Sequence, residues 1–141
     1  MKNIINKYLE NNKKTLDILI NAEKKEIISS ARLIINTINA NKKILICGNG
    51  GSASDAQHFA AELIGRFKKE RQSFPAISLN TDTSAITAIG NDYDFSKIFS
   101  RQLQGLGRLG DILFAISTSG NSENVIQAAI EAKKKNIEVI S

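Results

Sequence analysis

Two glycine- and serine-rich segments of this sequence have the composition of anion-binding loops. Residues 48–52 read Gly-Asn-Gly-Gly-Ser and follow an apolar run, and residues 117–122 read Ser-Thr-Ser-Gly-Asn-Ser and follow another. Each precedes a stretch whose apolar residues have helical spacing. Hydroxyls, backbone N–H groups and the positive end of a helix dipole suit a phosphate dianion. Together the two segments predict a phosphate pocket.

Each segment also has a purely structural explanation. Glycine-rich turns between strand and helix are common, and Asn121 or Ser122 could simply cap the helix that follows. Two such loops in one sheet favour the pocket, because ligands of open α/β sheets bind outside the carboxyl ends of the strands. Neither a Walker motif nor a complete Gly-x-Gly-x-x-Gly fingerprint is present, so the pattern disfavours a nucleotide.

The only histidine, His58, lies four residues before Glu62 in the stretch that follows the first loop. On a helix this spacing places both side chains on one face. The pair could hold a divalent metal, share a proton network, or form an ordinary surface contact. A catalytic zinc usually has three protein ligands, so a metal site formed by these two residues is incomplete.

Composition and charge indicate which classes of protein this sequence does not fit. The 141 residues suit one domain, and the net charge of +5 comes from lysines spread over predicted helix surfaces. Only 6% of residues are aromatic, so we expect no nucleic-acid partner. No apolar run is long enough for a membrane span, and the start of the chain lacks a signal-peptide core. We therefore expect a cytoplasmic protein without membrane contact, with Cys47 buried as a small hydrophobe.

The hydrophobic pattern alternates between strands and helices after a helical start. Residues 4–40 predict two helices, which pack on the domain or on a partner subunit. Strands are predicted at residues 43–47, 75–79, 111–116 and 137–140, and helices at 54–67, 82–89, 95–103 and 123–135. This order indicates an α/β fold, a parallel sheet flanked by helices. Because the sequence stops directly after an apolar strand, we expect the C-terminal part of the domain to be missing.

The longer motifs resemble the bacterial phosphoheptose isomerases of the sugar isomerase (SIS) domain superfamily. The likeness rests on residues 47–67, which begin Cys-Gly-Asn-Gly-Gly-Ser, on Gly-Asn-Asp at residues 90–92, and on Ile-Ser-Thr-Ser-Gly-Asn-Ser at residues 116–122. It covers essentially the whole chain. The resemblance implies a flavodoxin-like, three-layer SIS domain over residues 1–141 and a cytoplasmic homotetramer with sites between subunits.

The resemblance also implies an activity and its residues. The expected reaction converts D-sedoheptulose 7-phosphate into D-glycero-D-manno-heptopyranose 7-phosphate through an enediol, the first step towards the heptoses of lipopolysaccharide core or other surface glycans. Glu62 would be the base that moves the proton, and Arg66 would reach the phosphate or a neighbouring site. The other implied substrate-binding residues are Asn49, Gly50, Gly51, Ser52, Asn91, Asp92, Ser117, Thr118, Ser119 and Ser122.

The resemblance further implies one zinc ion per site, with His58 and Glu62 as ligands. The family's further glutamine and its second histidine would lie beyond Ser141, so the remaining ligands are expected there. If the 141 residues were the complete protein, we would expect weak zinc affinity and little activity. The alternative is a non-catalytic SIS-domain protein that binds the replication initiator DnaA or senses a sugar phosphate. Glu62 argues against the DnaA-binding type, which lacks this glutamate.

Overall fold

The computed structural model describes residues 1–21 and 24–141. These residues form two compact units, Met1–Leu33 and Ile34–Ser141. The prediction of a single domain over residues 1–141 stays a prediction. Within the described residues, no helix combines the length and the apolarity that crossing a membrane would require.

The first unit is helical, as the spacing of its apolar residues predicted. Helix α1 spans Lys2–Asn21, and helix α2 spans Lys24–Asn39 and continues into the second unit. None of the side chains of α1 is buried. Large apolar residues are exposed along it and at the start of α2: Ile4, Ile5, Tyr8, Leu9, Leu16, Ile18, Leu19, Ile20, Ile27 and Ile28.

The second unit contains a four-stranded parallel sheet in the order β2-β1-β3-β4. This order and the parallel pairing confirm the predicted α/β fold class, and the order is that of the flavodoxin-like sheets. The strands are β1 (Ile44–Gly48), β2 (Ala76–Ser78), β3 (Ile112–Ile116) and β4 (Glu138–Ile140).

Helices cover both faces of this sheet and complete three layers. They are α3 (Gly51–Ile64), α4 (Thr83–Asp92), α5 (Ile98–Leu106, after a 3-10 turn at Phe95–Lys97) and α6 (Glu123–Lys134). Leu45 and Leu113 pack with α5 and α6 on one face, whereas Ile44 and Ile46 pack with α3 on the other. Successive residues of β1 therefore enter opposite cores, and all five of its residues are buried.

Most predicted elements are present with shifted ends, but one prediction was wrong. Residues 90–92 were expected to separate two helices, whereas α4 continues through Asp92. The backbone N–H of Tyr93 still donates to the Ile89 carbonyl, so helical bonding passes Gly90. A single glycine inside a helix costs only about 1 kcal/mol, which neighbouring packing can offset. Similarly, α3 begins at Gly51, three residues before its predicted start.

A buried ion pair joins the amino ends of β1 and β3. Asp111 is 2% exposed, and its carboxylate accepts hydrogen bonds from the Lys43 backbone N–H at 3.0 Å, the Lys43 ammonium at 2.6 Å and the Arg108 backbone N–H at 2.8 Å. Loss of this carboxylate would leave three donors without their acceptor.

Replacing Asp111 by alanine should therefore destabilise the protein. We expect Asp111→Ala to lower the free energy of unfolding by about 3 kcal/mol, because one partner of a buried charge pair is removed. Chemical denaturation measures the change. Asp55→Ala, which removes an exposed carboxylate on α3, is the control and should cost less than about 0.5 kcal/mol. Equal effects of the two substitutions would contradict a stabilising role for the Asp111 pair.

Candidate active site

The first predicted loop is a tight turn between β1 and α3. Gly50 has a φ of 55°, a conformation that glycine adopts without strain. A Cβ on Gly48 would lie 2.7 Å from both the Cβ and the carbonyl oxygen of Ser52, so only glycine lets the strand end so close to the helix. Ser52 itself is 8% exposed and lies in the first turn of α3.

The second predicted loop gathers its hydroxyls in front of α6. Ser117 Oγ donates to Ser122 Oγ at 3.2 Å and lies 3.5 Å from Ser119 Oγ, which accepts from the Asn121 backbone N–H at 3.2 Å. Thr118 and Ser119 are exposed, and Ser122 is the residue preceding the helix. The Ser122 side chain makes no capping hydrogen bond, so the alternative explanation of Ser122 as a side-chain cap is not observed.

The parallel pairing of β1 with β3 brings the two loops together. Gly48 pairs with Ile116, so both strands end at the same level. Beyond that level, the side-chain amides of Asn49 and Asn124 bond each other twice at 2.8 Å. A cavity of about 350 Å³ borders this amide pair, and it is also lined by residues 94–96, Ser122 and Glu123. The predicted meeting of the loops at the carboxyl edge is therefore confirmed.

His58 and Glu62 lie on one face of α3, as their spacing predicted. The distance from His58 Nε2 to Glu62 Oε1 is 3.2 Å, and the side chains are 77% and 31% exposed. An imidazole nitrogen and a carboxylate are suitable zinc ligands. Within residues 1–21 and 24–141, however, no cluster of three histidine, cysteine or acidic residues could hold a metal. His58 and Glu62 could therefore supply two zinc ligands, fewer than the three protein ligands of a typical catalytic zinc site.

Cys47 belongs to the core, as expected. It is buried in β1, and burial raises the pKa of its thiol to about 12. Burial therefore disfavours the thiolate, which is the nucleophilic form of cysteine.

Three further predicted residues lie at exposed positions. Arg66 forms an ion pair with Glu70, with 3.2 Å from Nε to Oε2. Asn91 donates to Asp92 Oδ1 at 2.9 Å, at the carboxyl end of α4. Their predicted contacts with sugar or phosphate stay predictions.

Sequence reasoning missed three residues that hold this region together. The side chains of Asn124 and Asn80 form hydrogen bonds with the first loop. The guanidinium of Arg71 donates to the backbone carbonyls of Glu62 at 2.6 Å and Leu63 at 2.9 Å, at the carboxyl end of α3. The sequence indicates a role for these asparagines only through their positions. Asn124 lies two residues after Ser122, and Asn80 follows a predicted strand.

The fold agrees with comparisons with known proteins. A family model described as "SIS domain" matches residues 7–141. The chain therefore belongs to the SIS domain family.

Within that family, the similar proteins are phosphoheptose isomerases. The chain is 53% identical over 136 residues to that of a Nitratiruptor species, a match covering 96% of this chain and 73% of the relative. It is 52% identical over 140 residues to that of Campylobacter concisus, covering 99% of this chain and 74% of the relative. The resemblance read from the motifs is thereby confirmed.

Solved structures agree with this assignment. The phosphoheptose isomerase of Neisseria gonorrhoeae matches with a TM-score of 0.89 at 42% identity, covering 98% of this chain and 72% of that one. The enzyme from Francisella tularensis matches with a TM-score of 0.92 at 40% identity, covering 97% and 72%.

The close approach of Gly48 to Ser52 generates a prediction about the first loop. Gly48→Ala should destabilise the protein by about 2 kcal/mol, since the added methyl group meets backbone atoms that cannot move without shifting α3. Gly51→Ala is the matched control, because nothing lies within 4 Å of its added Cβ. We expect it to leave stability unchanged or slightly raised. Thermal denaturation of both variants distinguishes them, and equal midpoints would argue against a strict glycine requirement at position 48.

Proposed function

We propose that this chain carries the site of an isomerase that converts D-sedoheptulose 7-phosphate into D-glycero-D-manno-heptopyranose 7-phosphate. In this role it begins the synthesis of heptose for lipopolysaccharide core or other surface glycans. The observation that carries the proposal is the pairing of two phosphate-type loops at one sheet edge, with a carboxylate and an imidazole on the helix that leaves the first loop. Its relatives are named for this class of activity.

Substrate binding begins with the phosphate. The hydroxyls of Ser117, Thr118, Ser119 and Ser122 and the first turn of α6 supply neutral donors and a positive dipole end, which stabilise a dianion without a buried cation. Ser52 and the backbone of the first loop supply donors from the other side. With the phosphate held in this way, other residues must position the rest of the open-chain sugar. We propose Asn91, Asp92 and Arg66 for this role.

The isomerisation moves one proton between neighbouring carbons. In the ketose, the Glu62 carboxylate removes a proton from C1, and the C1–H electron pair forms the C1–C2 double bond of the enediol while the C2 carbonyl oxygen takes a proton from water. Return of the proton from Glu62 to C2, with loss of the C1 hydroxyl proton to water, gives the aldehyde of the aldose. Because Glu62 is only half-buried and lies beside His58, its carboxylate is accessible to a substrate.

We also propose that His58 Nε2 and Glu62 contribute two ligands to one zinc ion per site. A bound zinc ion would polarise the carbonyl oxygen next to the carbon that loses its proton. We propose that the other protein ligands come from residues outside the described set or from another copy of the chain. The proton transfer itself is assigned here to Glu62.

We propose that the active protein is a homotetramer with its sites between subunits, working in the cytoplasm where phosphorylated sugars are made. The many exposed apolar side chains of α1 support subunit association, because contiguous apolar surface of this kind usually marks an interface. The DnaA-binding or sensing alternative is not favoured: Glu62 is present beside His58, and the similar proteins carry an isomerase name.

Glu62 provides the direct test of the reaction. Glu62→Gln keeps the size of the side chain and removes its basicity, so we expect turnover of sedoheptulose 7-phosphate by the full-length protein to fall at least about 100-fold. A coupled assay that detects the aldose phosphate measures this. Glu138→Gln, an exposed carboxylate on β4, is the control and should retain activity. Unchanged turnover in Glu62→Gln would remove Glu62 as the base.

The metal proposal is tested by metal content and not by activity. We expect His58→Ala to lower zinc affinity at least about tenfold, because one nitrogen ligand is lost. Zinc retained after dialysis against a weak chelator is measured for wild type, His58→Ala and Asp55→Asn, the last being a control on the same helix. Equal zinc retention in all three proteins would contradict the ligand assignment.

A further inference from the structure

The two loops are joined by a hydrogen-bonded amide pair that has a defined orientation. Asn49 Nδ2 donates to Asn124 Oδ1, and Asn124 Nδ2 donates to Asn49 Oδ1, both at 2.8 Å. Asn124 Oδ1 also accepts from the Val125 backbone N–H at 3.0 Å. Because that N–H requires an oxygen, it fixes which end of the Asn124 amide faces which group of Asn49.

Asn124 is the second residue of α6, the helix that follows the second loop, and a hydrogen bond holds its side chain against that helix. The residue is 3% exposed, and its side chain folds back onto the first turn of α6, where the Val125 N–H also donates to the Ser122 carbonyl, with 3.0 Å from nitrogen to oxygen. Movement of Asn49 would therefore require movement of this helix end, or the loss of two partly buried hydrogen bonds.

A second asparagine holds the first loop from the opposite side. The Gly48 N–H donates to Asn80 Oδ1 at 3.2 Å, and Asn80 Nδ2 donates to the Gly48 carbonyl at 2.8 Å. Asn80 follows β2, whereas Asn124 lies beyond β3, so the two side chains hold the exit of β1 between its two neighbouring strands. The Asn49 amide is thus held in a fixed place next to the cavity.

We propose that Asn124 is a positioning residue of the sugar-phosphate site. It fixes the spacing between residues 50–52 and the hydroxyls of residues 117–122, so that both loops act on the same phosphate. The proposal rests on the proposed function, because it takes the pocket to be a phosphate site. It also assigns the Asn49 side chain to this link, which leaves the backbone of Asn49 and its neighbours to face the ligand.

Asparagine is required at position 124 because the link uses both ends of the amide. In Asn124→Asp, one carboxylate oxygen would still accept from Asn49 and Val125, but the other would face Asn49 Oδ1, an acceptor against an acceptor. The new negative charge would also lie at the amino end of α6, where it repels a bound phosphate. In Asn124→Ala, the Asn49 amide would lose both partners.

The experiment measures phosphate binding and steady-state kinetics of the full-length protein. For Asn124→Ala we expect inorganic phosphate to bind about tenfold more weakly and the KM for sedoheptulose 7-phosphate to rise by a similar factor, with kcat changed less than about threefold. Asn124→Asp should weaken phosphate binding further. Gln127→Glu adds the same charge one turn later on α6 and should bind phosphate within about twofold of wild type.

A double-mutant cycle separates the link from a general loss of stability. If the two amides act as a pair, the phosphate affinity of the Asn49→Ala/Asn124→Ala double variant should lie within about twofold of that of Asn124→Ala alone. Lower thermal stability with wild-type phosphate affinity would overturn the proposal, as would fully independent effects of the two substitutions. If the wild-type protein binds phosphate but does not isomerise the sugar, the proposed function is wrong. The phosphate affinities of the variants then still test whether Asn124 positions the two loops.

Discussion

The parallel pairing of β1 with β3 is the constraint on which the rest of the structure depends. It aligns Gly48 with Ile116, so the chain leaves both strands at one level and enters a loop and then a helix after each of them. The two strands lead into helices on opposite faces of the sheet, and the crevice between their loops is where open α/β sheets bind ligands. At the other end of the same two strands, the Asp111 carboxylate holds their starting residues together.

Burial separates structural from chemical residues in this molecule. Asp111, Cys47 and Asn124 are buried, and their polar groups are either bonded inside the protein or, for the Cys47 thiol, kept neutral with a raised pKa. His58, Glu62 and the hydroxyl groups of Thr118 and Ser119 remain accessible. The buried residues hold the loops in place, and the accessible side chains are the ones left free to contact a ligand.

Local patterns predicted most of the fold. The apolar runs and the glycines that stop them define β1 and β3, and the four-residue spacing of His58 and Glu62 was enough to predict their contact. Residues 90–92 were misplaced because Gly90 was taken as a helix end, although its helix continues to Asp92. The contribution of a glycine depends on surrounding packing, which the local pattern does not contain.

The link between Asn49 and Asn124 could not be predicted for a different reason. The two residues are 75 positions apart, and each sequence neighbourhood predicts only a turn or a helix start. Their contact follows from strand order and register, which are properties of the assembled sheet. The same holds for Asn80 and Gly48, whereas the glycines and hydroxyls of the loops are visible directly because their function depends on local conformation and composition.

The most direct test of the central claim is isotope incorporation during turnover in D2O. The full-length protein is incubated with sedoheptulose 7-phosphate, and the positions of deuterium in substrate and product are read by NMR. An enediol route predicts deuterium at C2 of the aldose phosphate and at C1 of the recovered ketose, because the transferred proton can exchange with solvent while it is held by Glu62. Product formed with no deuterium at either carbon would contradict a proton held during transfer by the solvent-accessible Glu62 carboxylate.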